Sequence, residues 1–171
     1  MSGFQFDVKS SHVNASGQMV TGRTRLKGVI GIGSGTAGTV NIWDSSAAPT
    51  AVTYGRAGTL ITITLASHGL TTGDVVGLAF GAGTGGTATN GNYVVTVLTS
   101  STYTVTDINS GSITAGAAAS QSAVGSRWMT SWDTTNNSAT VTLLIPGDGI
   151  WATNGLYAQL SNQTGLTIYY G

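Results

Sequence analysis

The chain contains no glutamate. Its acids are six aspartates, Asp7, Asp44, Asp74, Asp107, Asp133 and Asp148, and its lysines and arginines also number six. Solvent-facing helices are built largely from Glu, Lys, Arg and Leu, whose straight side chains lose little freedom in a helix. With those residues scarce, Thr, Ser, Gly and Val carry the chain, and they favour strands joined by tight turns. Hydrophobic residues make up 40% of the sequence, enough for a buried core. An all-β protein is therefore predicted. Only 7% of residues are charged, against about 25% in typical domains. Such a surface tends to associate, so part of it is expected to be covered by copies of the chain or by a partner.

Zero net charge and a pI near 6.7 argue against a nucleic-acid partner. There is no cysteine, which removes disulfides and thiolate metal sites. The first residues, Met1 to Asp7, lack a charged-then-apolar signal pattern. No apolar run approaches the ~20 residues of a membrane helix. The expectation is a soluble protein made in the cytoplasm, with no signal peptide and no membrane partner.

Hydrophobic alternation marks strands along most of the chain. Phe4, Phe6 and Val8 alternate with polar residues. Arg23–Ile32 and Thr39–Trp43 read as the next strands, with a turn at Asn14–Gln18 before them. A second set follows: Leu60–Leu65, Val75–Val76, Asn92–Leu98 and Thr102–Ile108, with a glycine-rich tip at Gly81–Gly86. Gly116–Ala123 is small and low in complexity and reads as a return linker, with a helical turn as the alternative. The last third supplies Ala139–Ile145, a Pro146–Gly149 turn, Ile150–Trp151, Leu156–Leu160 and Leu166–Tyr170. Leu166, Ile168 and Tyr170 share one face. This pattern predicts a discontinuous β-sandwich or jelly-roll, residues 1–54 with 124–171, carrying an inserted small β-barrel at 55–123.

Trp43-Asp44-Ser45 and Trp132-Asp133-Thr134 bracket the insert. The plain reading is a strand-ending aromatic followed by an Asp-Ser/Thr turn. The sharper one is two tryptophans packed together where the outer sheet is interrupted.

Motifs that carry chemistry are thin. Gly33–Gly38 matches G-x-G-x-x-G, but the β-branched and aromatic run Thr39–Trp43 follows it. A dinucleotide fingerprint must open a helix, so this is a hairpin loop. His12 and His68 have no ligand-like spacing and no Asp cluster accompanies them, so no metal site is assigned. Asp148 reads as a turn residue rather than a Ca²⁺ ligand. His68, ahead of Thr71-Thr72-Gly73-Asp74, reads as a brace for that turn. No nucleophile elbow or acid pair stands out, so neither catalytic residues nor a cofactor are assigned. The Asn-x-Ser/Thr matches at Asn14, Asn136 and Asn162 are chance products of a Ser- and Thr-rich chain.

Arg23, Arg25 and Lys27 lie at i, i+2 and i+4, on one face if the segment is a strand. They suit contact with an acidic protein partner, or else a solvated face or a guarded edge. Trp151, Tyr157, Tyr169 and Tyr170 make the last third aromatic. They suit core and subunit interface, with a glycan or protein contact surface if exposed. Together these seven residues are the candidate docking or subunit interface.

The stretch Ile61–Val76 with Ser67-His68-Gly69-Leu70-x-x-Gly73-Asp74-x-Val76, then Asn90–Val95 and Thr102–Val105, resembles a small β-barrel module. Such modules recur in tail, fibre and other structural proteins of bacteriophages, and are labelled as similar to a domain of ubiquitin-activating enzyme. No ubiquitin chemistry is implied. Arg25–Val29, Leu144–Ile150, Gly155–Tyr157 and Leu166–Gly171 are similar to short all-β virion proteins of tailed phages, usually shorter than this chain.

These resemblances imply a structural, non-enzymatic virion protein. The first expectation is a capsid decoration or cement protein that binds the major capsid protein or another virion protein, as a homo-oligomer and most readily a trimer. The alternative is a tail, fibre or host-adhesion component that binds cell-surface glycan.

Overall fold

A computed structural model describes residues 8–134 and 140–171. The predicted strand around Phe4 and Phe6 lies outside them, apart from Val8. The described residues form fourteen strands and no helix. These are β1 (Lys9–Val13), β2 (Gly17–Thr21), β3 (Thr24–Gly33), β4 (Gly38–Asp44), β5 (Thr50–Thr64), β6 (Val75–Phe80) and β7 (Gly91–Val94). They continue as β8 (Thr96–Val97), β9 (Thr102–Gln121), β10 (Arg127–Thr134), β11 (Thr140–Leu144), β12 (Ile150–Ala152), β13 (Gly155–Ser161) and β14 (Gln163–Tyr170). The protein is all-β, as its composition predicts. It divides into two compact units, 1–48 with 129–171, and 49–128.

The discontinuous unit is a sandwich of two antiparallel sheets. The first sheet, sheet A, runs β1-β14-β3-β11, with β12 also pairing β3; the second, sheet B, runs β10-β4-β13-β2. Leu26 and Val29 of β3, with Leu166 and Ile168 of β14, meet Val40 and Ile42 of β4 and Leu156 and Ala158 of β13 in one buried cluster. Every second residue of these strands faces inward, which is the physical content of the alternation in the sequence. A bulge interrupts that alternation in β3. Tyr169 pairs Gly28 and Tyr170 pairs Leu26, so Lys27 has no opposite number on β14. Lys27 and Gly28 therefore sit on the same, outer side, while Leu26 and Val29 both stay inside.

Asp44 secures the turn between β12 and β13. Its buried carboxylate accepts hydrogen bonds from the Thr153 and Asn154 backbone N–H groups and from the Thr153 hydroxyl, at 2.7–3.0 Å. Trp132 packs in the sandwich interior against Gly31. Trp43 is fully buried on the face of β4 opposite to Val40 and Ile42. The two tryptophans thus face different sides of sheet B and do not stack together. The strand-ending reading of their motifs fits the ends of β4 and β10.

The continuous unit is a small barrel. β6 pairs β7, β7 leads directly into β8, β8 pairs the first half of β9, and the second half of β9 pairs β6. With the covalent step from β7 to β8 the path returns to its start, while β5 lines the other edge of β9 throughout. Ile61, Ile63, Val76, Leu78, Tyr103 and Val105 fill the interior. Closure requires β9 to bend. It carries extra residues opposite the Gly58–Leu60 and Tyr54–Arg56 steps of β5, where the register shifts.

Gly116–Ala123 is not a linker, except at its end: β9 continues to Gln121, with Ala117–Gln121 opposite Thr50–Tyr54. Its alanines read as low complexity because a strand paired on both edges and closely approached needs small side chains there. Ala117 packs within reach of Gly83, and Ala118 within reach of Gly81. The same pairing brings Thr50–Tyr54 into the barrel strand, so the unit begins earlier than residue 55.

Candidate functional site

Ionisable side chains in the barrel hold its bends. Arg56 Nη1 lies 2.6 Å from Asp107 Oδ2, and both side chains are almost fully buried. Asp107 also accepts from the Thr89 and Asn109 backbone N–H groups, at 3.2 Å each. Burial alone would raise the Asp107 pKa, but the hydrogen bonds from Thr89, Asn109 and Arg56 outweigh it and hold the value below that of an ordinary aspartate. The set ties the loop ahead of β7 to the larger bulge of β9. Tyr93 donates to Thr89 O in the same corner, and burial pushes its phenol up to about 12. His68 does what its place in the sequence predicts. One ring nitrogen accepts from Leu70 N–H at 3.0 Å and the other lies 2.9 Å from Thr99 O.

A cleft of about 470 Å³ opens between β7, which pairs β6, and the first half of β9. It is lined by Gly91, Asn92, Tyr93, Val94, Thr106 and Ile108. Among the described residues no three His, Cys or acidic side chains converge as metal ligands.

The outer face of sheet A gathers most of the predicted interface residues. Arg25 stands directly opposite Trp151 on β12. Its guanidinium carbon lies 5.2 Å from the centre of the Trp151 ring, and that of Arg23, in the turn before β3, lies 5.9 Å from it. Both are within cation–π range. The indole remains 42% exposed. Arg25 Nη1 also contacts Asp148 Oδ2 at 2.9 Å. Lys27 follows Arg25 on the same side. One step further, Gly28 has Tyr169 opposite on β14 and Leu144 opposite on β11. A Cβ built on Gly28 would lie 3.7 Å from each of those side chains. The glycine is itself buried, so the Leu144 and Tyr169 side chains close over it as a small apolar patch. Leu144 is 77% exposed.

Two predicted residues lie elsewhere. Tyr170 packs against the sandwich core, as the shared face with Leu166 and Ile168 predicts. Tyr157 pairs Trp43 on sheet B and points away from that core, between the inward Leu156 and Ala158. Sequence reading did not connect Trp151 to the arginines, because the link depends on the β12–β3 register. It also overlooked Leu144 and Gly28, which have no chemical signal until the bulge at Lys27 brings the basic residues onto their side of the sheet. Arg56 with Asp107 was missed as well, and no spacing rule joins those two residues.

No known protein-family pattern matches the chain, and no curated protein does. Among solved structures it is similar to "Phage phi92 endosialidase", at 22% identity and a TM-score of 0.32. That match covers 71% of this chain and 20% of the endosialidase, so the chain spans about a fifth of that protein's length. A likeness this distant adds nothing to the functional reading.

Proposed function

We propose that the chain is a structural protein of a tailed-phage virion, docked on the particle through the outer face of sheet A, and that its first role is capsid decoration. The observation that carries this reading is the composition of that face: an exposed Trp151 in contact with two arginines, beside the Leu144–Tyr169 patch. Exposed aromatic and arginine side chains on a rigid sheet are the typical anchors of protein interfaces. The resemblance of the flanking strands to short virion proteins supports the same assignment. The mechanism would be mass action. A protein that binds only the assembled shell stabilises it in proportion to its occupancy.

A second reading is adhesion. The β7–β9 cleft favours it, because Thr106 and Tyr93 offer a sugar a hydroxyl and an aromatic edge.

Quantitative mass spectrometry of purified virions tests the choice. A copy number comparable with that of the major capsid protein is expected. A few copies per particle would move the chain to the tail, and absence from virions would sink both readings. Docking itself is best tested by surface substitution. Deleting Tyr169–Gly171 would cut into β14, which lies between β1 and β3, and would confound docking with folding.

A further inference from the structure

We propose that the outer face of sheet A receives an extended acidic segment of a partner protein, with its carboxylates on Arg23, Arg25 and Lys27 and an apolar side chain against the Leu144–Tyr169 patch. This rests on the docking reading above and names the chemistry of the partner.

Charge is the first argument. The chain as a whole is neutral, yet three of its six lysines and arginines meet at this one place. Arg56 is committed to Asp107 inside the barrel. Among the described residues only Asp148 forms an ion pair with this group, and it does so through a single nitrogen of Arg25. The Asp148 side chain is 89% exposed. A pair so open to water contributes little and yields to a carboxylate that arrives with further contacts. Asp148 thus stands where a partner's carboxylate would bind.

Geometry is the second argument. Arg25 and Lys27 are two residues apart on one strand, so their Cα atoms are separated by about 6.6 Å. An extended peptide repeats its side chains at that same period. The next residue of β3, Gly28, lies on the same side because of the bulge and is buried beneath Leu144 and Tyr169, whose side chains form an apolar patch with the Tyr169 hydroxyl as its one polar group. Basic positions beside an apolar patch match an acidic strand that also carries apolar residues.

A second copy of the chain fits less well. Its Asp44 and Asp107 are buried, Asp74 accepts from Thr71 N–H in a turn, and Asp133 stands singly near the end of β10. No strand among the described residues presents a row of acids.

The test uses the intact protein and a fluorescein-labelled peptide alternating aspartate with leucine. A lysine-for-aspartate version and an oligogalacturonate, a carboxylated glycan, are the comparison probes. Fluorescence anisotropy should show binding of the acidic peptide alone, weakening as salt is raised. The Trp151 indole N–H resonance should move with it. Arg25→Glu and Lys27→Glu should each weaken binding about tenfold. Asp148→Asn should tighten it roughly two- to fivefold by releasing Arg25. Unchanged thermal midpoints confirm that the variants are folded, and Lys27→Gln replaces any glutamate variant that is not.

Failure to bind the acidic peptide at low salt would overturn the proposal. So would equal binding of the oligogalacturonate, weaker binding by Asp148→Asn, or self-association that peptide does not compete. A chain abundant in virions that ignores the peptide would lose the acidic partner and keep the virion role. Peptide binding by a chain absent from virions would do the reverse.

Discussion

Arg56 and Asp107 make each other tolerable inside the barrel, because a buried charge without its partner is far costlier than an exposed one. Arg56→Ala or Asp107→Ala should each destabilise the barrel by about 3–5 kcal/mol, measured by urea denaturation. Replacing both with apolar residues of similar volume should cost much less. The depressed pKa of Asp107 adds a pH signature. The native carboxyl titrates below the unfolded value of about 3.9, so its contribution is fully present above that pH. It is lost as pH falls through the native value. The urea midpoint of the barrel should therefore drop below about pH 4, and less steeply in the doubly apolar variant. Asp44 is the counterpart in the sandwich. Asp44→Ala strands the Thr153 and Asn154 N–H groups and should cost about 2–3 kcal/mol, seen as a lower urea midpoint.

Among the elements, β11 is the exposed one. Its sequence, TVTLL, carries no charge and no proline. It is an end strand of sheet A and pairs only β3 among the described strands. Edges of this kind usually hold a charge that discourages pairing with other chains. Leu144→Lys should change stability by less than about 0.5 kcal/mol and reduce self-association in light scattering. Legibility at this scale follows period and register. Alternation exposed β3, β4, β13 and β14 because each buries one face. Of the long β9 only the first half was read, as Thr102–Ile108, since its alanine-rich half has no alternation to read. The interface residues were recognisable by type, but Gly28 and Leu144 became part of the face only through a one-residue bulge at Lys27. A bulge has no period of its own.

Considered as a whole molecule, the chain interrupts a two-sheet sandwich with a barrel that closes on itself through its strand pairs and the β7–β8 step. The composition made an all-β protein with two parts readable. The place of the first boundary was not readable, because Thr50–Tyr54 is ordinary strand sequence that becomes part of the barrel only through Ala117–Gln121. A unit that closes its own sheet and fills its own interior should stand alone. Residues 49–128 expressed separately should unfold cooperatively, with one transition by tryptophan fluorescence and circular dichroism alike.

The bent pair of strands β5 and β9 also sets the order in which the molecule can assemble. His12 and Thr167, side by side in sheet A, are 155 positions apart in sequence, whereas Arg56 and Asp107 in the barrel are 51 apart. Closing a chain over the longer span loses more entropy and is slower. Once β5 and β9 have paired, Thr50 and Gln121 lie opposite each other, and everything between them no longer counts as loose chain. The early strands of the sandwich then search for the late ones across a much shorter tether. The barrel is in this sense an internal chaperone for its host domain, and a variant that delays the barrel should delay the sandwich by the same amount.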